Sequence, residues 1–303
     1  MASEAQSLEL SHQPDPLRLR WAKGLAKFVR TKPLGAIGGA IIFVMLVLAV
    51  ISAVGLADEL TGYRYDEQVL RDRLSAPSSD HLLGTDHLGR DQLSRVVHGS
   101  RVSISIGFFA VTVSTILAVA IGLPSGYFGG RTDTVVQRIV DVWMAMPGLV
   151  MLIFLIAIFG RSLLVMVMVL GTLSAARVSR LVRGTTLGVA NEQYVDAARS
   201  LGATNMRVMM LHVFPNIFHI VLISISVSIG GAILVESTLS FLGLGLPPPY
   251  PTWGRMLSDS RAFLSYPILG IIPGVAITIT VFAFNVLGDA LRDVLDPRLR
   301  GSR

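Results

Sequence analysis

From Leu34 to Ala57 the chain runs 24 residues without a charged side chain, and from Val102 to Leu123 it runs another 22. About 20 helical residues cross the hydrocarbon core of a bilayer, where every backbone N–H and C=O must find a partner inside its own segment. A helix of a soluble protein is seldom apolar on all sides for so long. Similar stretches recur from Val142 to Gly160, Ser162 to Leu181, Ile217 to Val235 and Pro267 to Gly288. The sequence therefore predicts an all-α polytopic membrane protein with six transmembrane helices. Only 15 uncharged residues separate Arg161 from Arg177, about 22 Å of helix, so the fourth helix is expected to continue through Arg180 and Arg183 beyond the membrane.

Basic residues give the orientation. Of 26 Lys and Arg, 17 fall on the side of the two termini and nine on the other, which predicts cytosolic termini. The net charge of +6 is mostly this asymmetry and calls for no nucleic-acid partner. The expected organisation is a cytosolic tail over residues 1–33, with a basic amphipathic helix from Leu17 lying against anionic membrane lipid, and an anchor at 34–57. An external loop at 58–101, a core of five spans at 102–288 and a cytosolic tail at 289–303 follow.

No cysteine is present, which excludes disulfides, zinc–thiolate sites and thiol nucleophiles. The chain lacks a phosphate-binding G-x-x-x-x-G-K-[ST] loop, a zincin helix and a G-x-S-x-G elbow, so no catalytic residue and no cofactor of its own are expected. Asp86, His87, Asp91 and His98 match no strong metal-ligand spacing and have Arg90 and Arg95 among them. They are expected to act as ion-paired caps around a turn at Gly84-Thr85-Asp86 and a short helix from Asp91 to His98. After the second span, Gly122 to Gly126 and Gly129-Gly130 are expected to form a tight return. Pro147 is expected to kink the third span, and Asp141 to be solvated or paired with Arg138.

Between the fourth and fifth spans lies a polar, amphipathic stretch at 191–216. Asn191 is a candidate N-cap with Glu192 in the first turn, Val195, Ala198 and Leu201 recur at helical spacing, and Gly202 ends the helix. A second short helix, capped by Thr204, has Met206, Met209, Met210 and Val213 on its apolar side and is limited by Pro215. The expectation is a helix-turn-helix on the membrane surface. In the fifth span, Ser224, Ser228 and Gly231 share one face while Ser226, Gly230 and Ser237 lie roughly opposite. Ser226-x-x-x-Gly230 has the spacing of a packing face, which leaves Ser224 and Ser228 for a polar route.

Asp196-Ala197-Ala198, Gly202 and His212-Val213-Phe214-Pro215 resemble the EAA loop of ABC importer permeases, with Asp196 in place of the usual Glu. Gly84-Thr85-Asp86, Gly89-Arg90-Asp91 and Ser94-Arg95 ahead of the second span resemble the C-type permease subunit of the oligopeptide, dipeptide and nickel importers. The stretches SFLGLGLPPPYPTWG and AFNVLGDALRDVLDPRLR resemble the same subunits. This resemblance implies a type I importer (MetI-like) fold in the bacterial cytoplasmic membrane. It implies translocation of peptides, or nickel as the alternative cargo, between this chain and a homologous B-type permease. It also implies two ATPase subunits that bind ATP and Mg, and an extracytoplasmic substrate-binding protein. Glu192, Tyr194, Asp196, Ala197, Ala198, Gly202 and Pro215 become the residues expected at the ATPase contact. An ion-coupled secondary transporter is the competing class, disfavoured because spans two, four, five and six carry no acid near their centres. A membrane scaffold is a third, set aside on these family-like stretches.

Overall fold

The computed structural model describes residue 23 and residues 26–295, and every regular element among them is a helix. The chain order is α1 (Pro33–Ala53), α2 (Ala57–Thr61), α3 (Gln92–Phe128), α4 (Gly130–Ala145), α5 (Gly148–Phe159) and α6 (Leu163–Ala190). Then come α7 (Gln193–Ser200), α8 (Asn205–Val208), α9 (Phe214–Phe241), α10 (Trp253–Ser260) and α11 (Ile268–Leu295). Five helices are long and apolar enough to cross a membrane: α1, α3, α6, α11 and the continuous run from Asn205 to Phe241. The tail expected over 1–33 and the end of the tail at 289–303 lie largely outside the described residues, although 26–31 are helical.

The third expected crossing is broken before Pro147. Helices α4 and α5 meet at an 85° bend, where Met146 is extended (φ −78°, ψ 136°) because a following proline disfavours helical backbone. Helix α5 has 12 residues, about 18 Å against a hydrocarbon core of about 30 Å, so a crossing here needs both halves of the bent pair.

The expected return at Gly122 to Gly126 is corrected. Helix α3 continues through Pro124, and the chain reverses only at Gly129 and Gly130, both at positive φ. Gly122 and Gly126 instead let two helices touch. A Cβ on Gly122 would stand 2.4 Å from the Ser179 carbonyl oxygen of α6, and one on Gly126 would stand 2.7 Å from that of Arg183. Small residues permit such close backbone approach in membranes.

The fourth helix does continue past the arginines, which find partners on α4. Arg183 holds Asp133 through Nε and Nη2, each at 2.5 Å, while Ser125 Oγ donates to Asp133 Oδ1 at 2.6 Å. Asp141 pairs with Arg180 and not with Arg138.

At the other end of the bundle the stretch expected as a loop at 58–101 packs into a cap. The helix foreseen from Asp91 to His98 is the first part of α3, with Asp91 as N-cap: its Oδ1 accepts from the Ser94 N–H at 2.7 Å. A cap of this kind contributes about 1 kcal/mol. Asp86 accepts from the backbone N–H groups of Leu88 and Arg90 and pairs with Arg90 and Arg95, and Asp259 of α10 stands 3.6 Å from both arginines. Burial opposes ionisation of Asp86, but these cations and N–H donors outweigh it and hold the carboxyl below its ordinary range. Trp253, fully buried, donates from Nε1 to the Val96 carbonyl at 3.0 Å and so fastens α10 to α3.

Candidate functional site

Opposite this cap, α6 delivers the chain to the hairpin α7–α8. Asn191 closes α6 and is not the cap of α7; Glu192, extended at φ −76° and ψ 144°, takes that place without a side-chain bond. The helix ends at Leu201, and Gly202 adopts φ +84°, the left-handed conformation that lets the chain turn. Thr204 then caps α8, its Oγ1 accepting from the Arg207 N–H at 3.4 Å.

Pro215 does not limit the second helix, contrary to the sequence expectation. It lies in the first turn of α9, and the preceding residues Met209–Val213 form a π-helical turn that joins α8 to α9 without a break. A wider turn accommodates the missing N–H and the ring of proline within one rod. The second half of the hairpin and the fifth crossing are thus mechanically continuous.

One face of the hairpin is seated on the bundle. Val195, Val208 and Val213 are fully buried and pack with Met209 into a cluster containing Leu123 and Tyr127 of α3, Val182 of α6 and Ile217 of α9. Tyr127 and Asn205 Oδ1 stand 3.2 Å apart in a hydrogen bond from the phenol, and Arg199 lies 5.0 Å over the same ring while its Nη1 donates to Asp196 at 3.2 Å. Tyr127 and Arg199 escape sequence reasoning because they meet across 72 residues of chain. A Tyr at the end of an apolar run, facing an Arg in a polar stretch, is the only hint.

The other face is bare. Leu201 is 88% exposed, and Tyr194, Met206, Met210 and Leu211 are exposed beside Glu192, Asp196 and Ala197. Leu201, Met206 and Met210, expected on the inward apolar side, point outward; Ala198 is half-buried and Pro215 exposed. The reason is geometric. Val195 and Val208 already fill the seat, and Leu201 stands just past the last turn of α7, outside it.

Next to the hairpin a cavity of about 790 Å³ opens between α6, α9 and the end of α11. Gly184, Thr185 and Gly188 of α6 face Asn216, His219 and Ser224 of α9 across it, with Glu192 and Arg292 also in its wall. Ser224 lines this space, whereas Ser228 is not part of its wall. Ser226 and Gly230 pack on α11: a Cβ on Gly288 would stand 3.4 Å from Ser226 Cβ, and one on Gly230 would stand 3.3 Å from the Val281 oxygen.

The residues considered for a metal site do not converge. His81 Nδ1 is 3.0 Å from Asp91, His87 stacks on Phe263, and His98 Nε2 stands 3.3 Å from Asp58. Among the described residues no three metal-capable side chains gather.

Residues 118–301 match the family model described as a binding-protein-dependent transport system inner membrane component. Over 94% of its length the chain is 38% identical to a glutathione transport system permease protein (GsiD) of Pectobacterium atrosepticum, 93% of which is covered. It is 38% identical to a dipeptide transport system permease protein (DppC) of Alkalihalophilus pseudofirmus, over 88% of this chain and 86% of the relative. It is also 37% identical to an oligopeptide transport system permease protein (OppC) of Bacillus subtilis, over 92% and 90%.

Proposed function

The chain belongs to the family of binding-protein-dependent transport inner-membrane components, and on that premise we propose that it is the C-type permease subunit of an ATP-driven peptide importer. The observation that carries the mechanism is the hairpin α7–α8: one face locked into the bundle, the other an unpartnered apolar rim of Tyr194, Leu201, Met206 and Met210. This rim, with Glu192, Asp196 and Ala197, is the contact for an ATPase subunit. ATP and Mg bind in that partner. Closure of two ATPase subunits displaces the hairpin, and displacement is transmitted along two rigid routes, α6 through Val182 and the unbroken π-joined rod into α9. Packed helices move between discrete arrangements and do not deform continuously, so a small shift at the rim becomes rotation of whole spans.

The substrate route runs against the cavity between α6 and α9, with Ser224 in its wall and a homologous B-type permease supplying the opposite side. A binding protein delivers the peptide from outside; the hairpin and both termini face the cytosol of a bacterium, in keeping with the basic-residue asymmetry. Peptide, and not nickel, is supported as cargo by the glutathione, dipeptide and oligopeptide names of the relatives.

The test is reconstitution. Liposomes holding this chain with its companion permease and two ATPase subunits are expected to take up labelled peptide only with ATP and binding protein. Uptake by the chain without ATPase subunits, or uptake driven by an ion gradient, refutes the assignment.

A further inference from the structure

At the end of the bundle opposite the hairpin, a second cavity of about 520 Å³ lies between the end of α1, the start of α3, the α5–α6 turn and the loop before α10. Its lining includes the polar Arg101, Arg161 and Ser52 and the apolar Val102, Phe109 and Leu163. The lining contains two arginines and His98 but no carboxylate. His98 is occupied, with Nδ1 2.9 Å from the Ser94 carbonyl and Nε2 beside Asp58, so it shapes the wall.

The two arginines have donors to spare. Arg101 Nη1 donates to the Ser52 carbonyl at 3.4 Å, and Arg161 Nη1 donates to the Gly243 carbonyl at 2.8 Å. Each contact uses one of the five N–H groups of an exposed guanidinium, and among the described residues neither arginine is in an ion pair. Ser52 is 4% exposed, and its Oγ has no hydrogen-bond partner. Two arginines with unused N–H donors, lining one cavity that has no carboxylate in its wall, define a receptor for an oxyanion.

The apolar wall says what the oxyanion is attached to. Phe109, half-exposed, begins a stripe on α3 that continues through the exposed Thr112 and Ile116, and Leu163 and Leu164 are exposed on α6 alongside. From Arg101 to Phe109 the helix rises about 12 Å, within the roughly 15 Å half-thickness of a hydrocarbon core. A cationic end at the membrane surface with an apolar track descending from it fits an amphiphile.

We propose that this cavity binds one phospholipid, its phosphate held by Arg101 and Arg161 and an acyl chain laid along Phe109. In the orientation proposed above, the lipid belongs to the outer leaflet. Such a lipid ties the end of α1 to the α5–α6 turn through a shared ligand.

The test uses the full chain purified with its companion subunits, incubated with a phosphatidylglycerol carrying a photoreactive acyl chain. Cross-links are expected on the peptides around Phe109 and Leu163 of the unmutated protein. The substitutions Arg101→Gln and Arg161→Gln are each expected to lower this labelling about tenfold, as loss of a charge-assisted hydrogen bond does, and Arg→Lys to restore part of it. Millimolar inorganic phosphate and excess dipeptide are expected not to compete. Labelling spread evenly over the exposed spans, labelling unchanged in the double Gln variant, or displacement by dipeptide or by phosphate alone would each overturn the proposal. The unmutated protein supplies the localisation even if a variant fails to fold.

Discussion

Replacing Gly202 isolates backbone conformation from packing. Its φ is +84°, and a Cβ built there meets nothing within 4 Å, so a side chain is disfavoured by the left-handed backbone alone and not by a clash. An alanine in this region costs about 1 kcal/mol, a β-branched valine about 2 to 3, and asparagine much less. The seat formed by Val195 and Val208 is untouched, so the strain is relieved by local opening of the α7–α8 turn and the helices stay folded. A cost of about 2 kcal/mol raises the population of the opened hairpin about 30-fold. Hydrogen exchange of amides 193–208, measured beside ATP-dependent uptake in liposomes, reads both consequences. Exchange is expected to rise and uptake to fall in the order Asn, Ala, Val, with exchange in α1 and α11 unchanged. A Gly202→Val protein that exchanges and transports like the parent would refute the reasoning.

Asp196→Arg reverses a charge that is largely exposed on the bare face; uptake is expected to fall with the melting temperature unchanged. Because the chain has no cysteine, single thiols report without background. Ser224→Cys is expected to react with an impermeant reagent once the cytosolic side is open, and Ser226→Cys, packed against α11, to stay silent; the reverse pattern removes the cavity from the route. With intact cells, Ser78→Cys is expected to be labelled and Ser200→Cys protected, and the opposite result inverts the topology. Asp86 has its carboxyl held below its ordinary value of 3.8, so its contribution to stability is present above that value and is lost as pH falls through the folded-state pKa. Asp86→Asn leaves two buried arginines with less neutralisation and is expected to cost about 3 to 5 kcal/mol at neutral pH. It should also flatten the acid-induced loss of protection in the cap, measured by hydrogen exchange against pH.

The spans are legible because the bilayer demands long apolar helices, and that demand is written residue by residue between Leu34 and Gly288. The hairpin is legible for a related reason: Gly202 and Thr204 are local signals whose meaning depends on neighbours a few positions away. What escapes is contact between distant segments. Gly122 and Gly126 read as a turn, since sequence does not reveal that Ser179 and Arg183 come to lie against them. Leu201 reads as core because helical periodicity identifies an apolar side without revealing that two valines already fill the seat. Pro215 reads as a terminator because a π-turn leaves no mark in composition. Glu236, one residue past the fifth span expected at Ile217 to Val235, lies inside α9, fully buried and accepting from Ser240 Oγ at 2.6 Å, an arrangement that only the fold creates.

The central claim, that the bare face of the hairpin is the ATPase contact, is tested most directly by a photoreactive amino acid at position 201 in the assembled transporter. Position 82, where Leu82 is exposed in the cap at the opposite end, serves as the comparison. The account predicts that the probe at 201 cross-links to an ATPase subunit and that the probe at 82 does not. A probe at 201 that reaches only lipid, the companion permease or the binding protein, while the ATPase cross-links elsewhere, contradicts it.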